Sequence, residues 1–517
     1  MSGESPTDSG METLSGVDGA FLNLETAATP MHVGSLHLFE TPAGYQGDFP
    51  AAVRRMMAKR MVPVLRRRLA ALPLDLANPV WLQGEVDLVR HIRRVQVPRP
   101  GAWAQLEAVV AELHGQLLDR SRPLWMIYVL EGLASGEKAY YFKIHHAMLD
   151  GHAGVALAAA LFDPSADASA DGPGADSAAR RKRAARSEPG TLALVAAALR
   201  HDAAQYLKLV RALPGVVRTL AAIAGDSVKG SRGKSRSSAG AAQADVPSLG
   251  ELRRSMSFGP RTALNVAITP ERGFATAVVP RAGLKAIAAA NDATVNDVVL
   301  ALCSGALRRY LKRHASIPRK SLIASMPISL REQGNTDFRT QATLSLVSLA
   351  TNFADPLKRL RAIRDSSGAT KAVARRARSV IPTDIPLIGA PWILGALASL
   401  YGRGSVVNRL PVLANVLVSN VPGPPAPLYV DGLRMSGYWP LSIVEHGLGL
   451  NITLISYAGK LFLGFTVARC AVPDARELAD EFLAAHEELS KLVPMPASAP
   501  RKTRTARATP KQAASTK

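Results

Sequence analysis

Two adjacent histidines, His145 and His146, are followed four residues after the second by Asp150 and then Gly151, within KAYYFKIHHAMLDGHAG from Lys138 to Gly154. Imidazole has an ordinary pKa of about 6.5, so part of it is neutral at neutral pH and ready to accept a proton. The chemistry this supports is general-base removal of a proton from a weak acid such as a hydroxyl. Asp150 stands where it could bond His146 or hold the loop by pairing with an arginine, and Gly151 leaves room for close approach of backbone or substrate. A metal site built from His145, His146, Asp150 and His152 is chemically conceivable. Sequence neighbours fit one ion poorly, however, and no second ligand cluster completes a site, so no metal is expected.

The elements that must position these groups are a strand and a helix. Lys138 to Ile144 mixes aromatic and β-branched residues with polar ones, as a strand does, while Asp150 reads as an N-cap for a helix from Gly151 to Leu161. Neighbours on an extended chain point to opposite faces, so only one of the two imidazoles can face a common cleft. We assign His146 to the cleft and His145 to the scaffold.

HHAMLDG matches HHxxxDG, which resembles the active-site motif of the acyl-CoA-dependent acyltransferase superfamily, including chloramphenicol acetyltransferases and peptide-synthetase condensation domains. Further strings narrow the resemblance: LSGVDGAFLNLETAATPMHVG from Leu14, PLW at Pro123 to Trp125, NDVVLA at Asn296 to Ala301, PISLR followed by GN before Thr336, and SNVPGP at Ser419 to Pro424. In this order, from about Leu14 to Leu492, they resemble the wax ester synthase/diacylglycerol acyltransferase family. The resemblance implies an α/β fold of two chloramphenicol-acetyltransferase-like lobes, each a mixed sheet flanked by helices, with an active-site tunnel between them. It implies a catalytic set of His146, His145, Asp150 and Gly151, and substrate contacts from Asn296, Asp297, Trp125, Ser419 and Asn420. Long-chain acyl-CoA would be a substrate rather than a bound cofactor, and diacylglycerol or a fatty alcohol the acceptor. Each substrate contact also has a structural reading: Trp125 as a core or tunnel-wall aromatic, Asn296 as a helix cap, Ser419 and Asn420 as turn stabilisers.

Organisation follows from composition. A chain of 517 residues with 47% hydrophobic residues can bury more than one core. We expect an N-terminal lobe over 1–162, a linker with amphipathic crossover helices over 163–255, a C-terminal lobe over 256–495 and a basic tail over 496–517. Formal net charge is +22, but 13 Lys/Arg against three acids lie between Arg180 and Arg236, and six unopposed Lys/Arg follow Ala499. The body is therefore only mildly basic. A nucleic-acid-binding protein is the alternative the charge raises; the tail has no aromatic residue for base stacking, which speaks against it. Transfer to an amine or polyketide acceptor is the alternative among enzymes.

Thr191 to Ala224, broken near Pro214, carries apolar residues on one face and basic ones on the other, as either a helix lying on an anionic membrane or a crossover helix packed on the body would, and the uncharged Ile385 to Gly402 reads as an acyl-binding wall or membrane-dipping segment. Arg54 to Arg68 reads as a basic helix interrupted at Pro63. Cys303 and Cys470, both read as lying in apolar surroundings, speak against a disulfide framework and for a reducing compartment, and no thioester through Cys303 is expected. His446 reads as structural. The polar, acidic N-terminus lacks the apolar run of a signal peptide, so the expected location is cytoplasmic with peripheral attachment to membrane or lipid droplet.

Overall fold

The computed structural model describes residues 11–14, 16–70, 79–149, 151–166, 258–329, 342–377 and 404–492. Asp150, the amphipathic segment at 191–224, the uncharged run at 385–402 and the basic tail lie outside the described residues.

The N-terminal half supplies β1 (Met11–Thr13), β2 (His32–Phe39), β3 (Arg67–Ala70), β4 (Val80–Gln83), β5 (Ile92–Gln96), β6 (Trp125–Glu131) and β7 (Lys138–His145). Its helices are α1 (Gly16–Leu24), α2 (Phe49–Arg60), α3 (Leu88–His91), α4 (Trp103–Gly115) and α5 (Gly151–Leu161). The later half supplies β8 (Arg272–Pro280), β9 (Ile323–Ser329), β10 (Ala342–Ser348), β11 (Val416–Val421), β12 (Tyr429–Val430), β13 (Leu433–Leu441), β14 (Leu450–Tyr457) and β15 (Lys460–Ala468). With these come α6 (Arg281–Ala290), α7 (Val295–His314), α8 (Pro356–Ala377), α9 (Gly404–Val407) and α10 (Ala475–Lys491).

Two six-stranded mixed sheets result, in the orders β12-β13-β2-β7-β6-β5 and β10-β9-β11-β14-β15-β8. The first is antiparallel except between β5 and β6; the second runs parallel from β9 through β11 to β14. The strand and helix expected around the histidine pair are both present. The basic stretch after Arg54 differs from the expected helix: α2 ends at Arg60, and a 3-10 turn at Pro63–Arg66 leads into β3, because proline starts a helical turn well but cannot continue one.

Local signals explain where helices begin. Asp48 accepts the Ala51 N–H at the start of α2 (3.1 Å). Thr294 and Asp297 form a reciprocal capping box on α7, a helix so central that Val298 to Leu307 is buried without interruption. Behind the second sheet α7 packs against α8 and α10.

The halves are not separate in sequence. β13, from the later half, pairs with β2 and so completes the first sheet, Tyr438 facing His37 and Pro440 facing Ser35. It lies across β15 at Gly464, where an added Cβ would come within 1.8 Å of the Pro440 carbonyl oxygen; only glycine admits that approach. A second junction is made by α4, whose buried Glu107 accepts from the Thr276 N–H (2.8 Å) and hydroxyl (2.7 Å) on β8 and pairs with Arg476 of α10. Burial raises the Glu107 pKa, with Arg476 opposing it.

Candidate active site

A cavity of about 480 Å³ lies between the sheets, lined from both halves of the chain and mainly apolar. This volume is in the range of sites that enclose a small molecule or a lipid chain. Strand alternation decides which side chains see it. Tyr140, Phe142 and Ile144 of β7 and Val33, Ser35 and His37 of β2 line the cavity, whereas Tyr141, Lys143 and His145 are buried on the opposite face.

His146 is the next residue on the cavity side. Its backbone N–H donates to the Met31 carbonyl (2.9 Å), which holds the chain beside β2 after the strand has ended. Its ring stacks on Phe21 of α1, centroids 4.1 Å apart and planes 21° apart, and lines the cavity. Across from it the second sheet presents Leu417, Ser419 and Val421 of β11 beside Asn451, Thr453 and Ile455 of β14, with Asn420 also on the wall. Glu445 opens onto the same space, and burial raises its pKa.

His145 faces the other way and is fully buried. The Ala147 N–H donates to its Nδ1 (3.1 Å), so the ring proton sits on Nε2, which lies 3.3 Å from Glu25 Oε1. Glu25 also accepts from the Met31 N–H (3.0 Å) and from Arg120 Nη2 (2.9 Å). Burial alone would raise this carboxyl; the partnership with His145, the Met31 amide and Arg120 outweighs it and holds the pKa down to about 2. Lys143 donates to the Leu113 and Gln116 carbonyls, both at 2.7 Å, and burial brings its pKa down to about 7 against the pull of Glu25. His114 donates from Nε2 to the Ser442 carbonyl (3.0 Å), so its Nδ1 accepts from the Tyr141 hydroxyl (2.6 Å). Through Ser442 this bonded layer reaches the later half of the chain.

Not every expected contact converges here. Ser419 and Asn420 line the cavity; Trp125, Asn296 and Asp297 are not among the lining residues. Trp125 is fully buried and its indole donates to the Leu65 carbonyl (2.8 Å), which makes it a core residue. Asp297 serves the α7 cap and accepts from Ser367, and the cap itself is Thr294 rather than Asn296. His446 is structural, its Nδ1 accepting the Ile268 N–H (3.0 Å). Cys303 is buried, with burial pushing its thiol up to about 12, so it has no thiolate to offer. Cys470 is exposed, contrary to the apolar setting expected, because it falls in the turn after β15. Glu25 and Arg120 were missed by sequence reasoning. Glu25 stands in a string already singled out, before PMHVG, and Arg120 three residues before PLW, but only the fold brings them to His145. Among the described residues no group of three or more His, Cys, Asp or Glu is arranged to hold a metal ion.

This geometry belongs to a two-lobed acyltransferase. The wax ester synthase/diacylglycerol acyltransferase catalytic domain matches residues 14–299, and the C-terminal domain of the same family matches 340–490. An O-acyltransferase WSD from Acinetobacter baylyi is 33% identical over 90% of this chain and 94% of its own length. A putative diacylglycerol O-acyltransferase from Mycobacterium tuberculosis is 34% identical over 93% of this chain and all of its own. Among solved structures, a wax ester synthase/diacylglycerol acyltransferase from Marinobacter aquaeolei superimposes with a TM-score of 0.62 at 27% identity, covering 93% of this chain and 99% of that one. The starter condensation domain of rhizomide synthetase shares the fold, with a TM-score of 0.52 at 14% identity, over 95% of this chain and 97% of its own. The chain belongs to the wax ester synthase/diacylglycerol acyltransferase family, and it is an acyltransferase.

Proposed function

We propose that this enzyme moves a long-chain acyl group from coenzyme A to the hydroxyl of diacylglycerol or of a fatty alcohol, in a ternary complex, with His146 as the general base. The observation that carries the reading is that His146 alone of the adjacent pair meets a largely apolar cavity shared by both halves of the chain. His146 takes the hydroxyl proton as the oxygen attacks the thioester carbonyl. The tetrahedral intermediate then collapses, the carbon–sulfur bond breaks, and the imidazolium returns its proton to the departing thiolate. Ser419 and Asn420, on the facing wall, are the candidates for polar contact with the developing oxyanion.

His145 acts as a positioning residue: with Glu25 and Arg120 behind it, it holds the turn from which His146 projects. For Asp150, which lies outside the described residues, the role proposed from its place in HHxxxDG is to fix the loop, with Gly151 leaving room beside it. The thioester is already activated, so acyl-CoA enters as a substrate and no further cofactor is called on. Peripheral contact with an anionic membrane or lipid inclusion on the cytoplasmic side is supported by the basic charge of 180–236 and of the tail. Among the described residues no single helix is long and apolar enough to cross a membrane.

The test is transfer from labelled palmitoyl-CoA to diacylglycerol and to hexadecanol, with His146→Ala beside the wild type. Ester formation that drops by about 10²–10⁴-fold in His146→Ala supports the reading. Absence of both esters, or an unimpaired variant, overturns it.

A further inference from the structure

The cavity has a floor, and its position is set by strand register. On β2 the last lining residue is His37, on β7 Tyr140 and on β13 Tyr438. The pairing places His37 opposite both of the others, so the lining stops at one rung on three adjacent strands. Behind the rung Phe39, wholly buried, closes the way with its ring 5.5 Å from that of Tyr140. The His37 ring lies 4.5 Å from Tyr438, 4.8 Å from Tyr140 and 5.3 Å from Phe162 at the end of α5. Its Nε2 is 2.7 Å from Ser35 Oγ, while Nδ1 has no hydrogen-bond partner among the described residues. Packing therefore fixes the ring, and its removal would leave space rather than a broken network.

We propose that His37 sets the length of hydrocarbon chain the cavity accepts, the His37–Tyr140–Tyr438 rung being the floor of an arm whose mouth is His146. This rests on the acyl-transfer reading for the direction of binding. From His146 back to Tyr140 is six residues of extended chain, about 20 Å at about 3.3 Å per residue. A zigzag hydrocarbon advancing about 1.3 Å per carbon, from carbon–carbon bonds of about 1.5 Å, fills that with about 15 carbons. Burial brings the His37 pKa down to about 3, so a chain end meets an uncharged ring at neutral pH.

The arm could hold the acyl chain of the donor or the alkyl chain of the acceptor, and the experiment separates them. Acyl-CoA chains of 8 to 20 carbons are run against one alcohol, and alcohols of the same range against one acyl-CoA. One of the two series shows a break, beyond which each added carbon lowers kcat/KM by about tenfold. His37→Ala moves that break about three carbons longer, the depth an imidazole vacates, His37→Trp moves it shorter, and His37→Phe leaves it in place. A break unmoved in both the Ala and Trp variants, with circular dichroism and melting temperature matching the wild type, overturns the proposal. Thermal shift with non-transferable S-alkyl-CoA thioethers and with alkanols reads the same series without turnover. If the wild type makes no ester yet the thermal-shift break still moves with residue 37, the acyl-transfer reading fails and the floor stands. If transfer occurs and neither break moves, the floor alone fails.

Discussion

The two faces of β7 have the same length and the same neighbours in sequence, yet they are built on opposite terms. The cavity face carries Tyr140, Phe142 and Ile144 and then His146, with little polar surface around them. The other face carries Tyr141, Lys143 and His145, and there hydrogen bonds run from Arg120 through Glu25 and from Tyr141 through His114 to Ser442. Buried polar groups are costly unless bonded, and most of those in the inner layer have partners. The cavity face escapes that demand, which leaves it free to receive a lipid. Adjacent histidines thus part company: His146 faces the cavity, and His145 is buried beside Glu25 in the scaffold.

Exchanging alanine into each position breaks the comparison most sharply. His146→Ala is expected to keep wild-type stability while losing transfer, whereas His145→Ala is expected to lose about 3 kcal/mol in urea unfolding by stripping Glu25 of a buried partner. The reverse pattern would mean that the faces are assigned the wrong way round.

Glu25 sharpens the contrast through acid stability. Its carboxyl has a pKa of about 2 in the fold against an ordinary 4.5, so it stabilises the native state above about pH 4.5, and that contribution is lost as pH falls towards 2. Glu25→Gln is expected to destabilise at neutral pH and to flatten the loss between pH 4.5 and 2, read by melting temperature against pH.

Lys143 tests the same face from the alkaline side. Its pKa is about 7 in the fold and 10.5 ordinarily, so between those values the unfolded chain binds more protons and stability rises with pH. Lys143→Met should remove that rise, and a slope that persists in the variant would show that it comes from another group.

Much of this division was legible from a period of two. The strand before His145 and the helix after Asp150 follow from residue type, and alternation allows only one of the two histidines to face the cavity. What alternation cannot show is what stands on the far side. Glu25 lies 120 residues before His145 and is brought to it by the pairing of β2 with β7. Asn296 and Asp297 stand outside the cavity lining for a readable reason: Thr294 and Asp297, three apart before an apolar run, form a capping box, and a cap fixes a helix end wherever the fold puts it. Trp125 likewise has the size to wall a tunnel, but its indole N–H needed an acceptor and found one in the core. The partnership of β13 with β2 was not legible, since it joins residues about 400 positions apart and rests on register rather than on composition.

That late strand sets an order of events during synthesis. Until residues 433–441 leave the ribosome, β2 has a bare edge, with His37 and Ser35 beside unpaired backbone groups open to any passing strand. The N-terminal half, though it carries His145 and His146, therefore waits as an incomplete sheet for most of translation. Its cavity gains Tyr438, and so its floor, only near the end. Cutting the chain between its two family domains would yield not two lobes but two sticky fragments, active only once they find each other again.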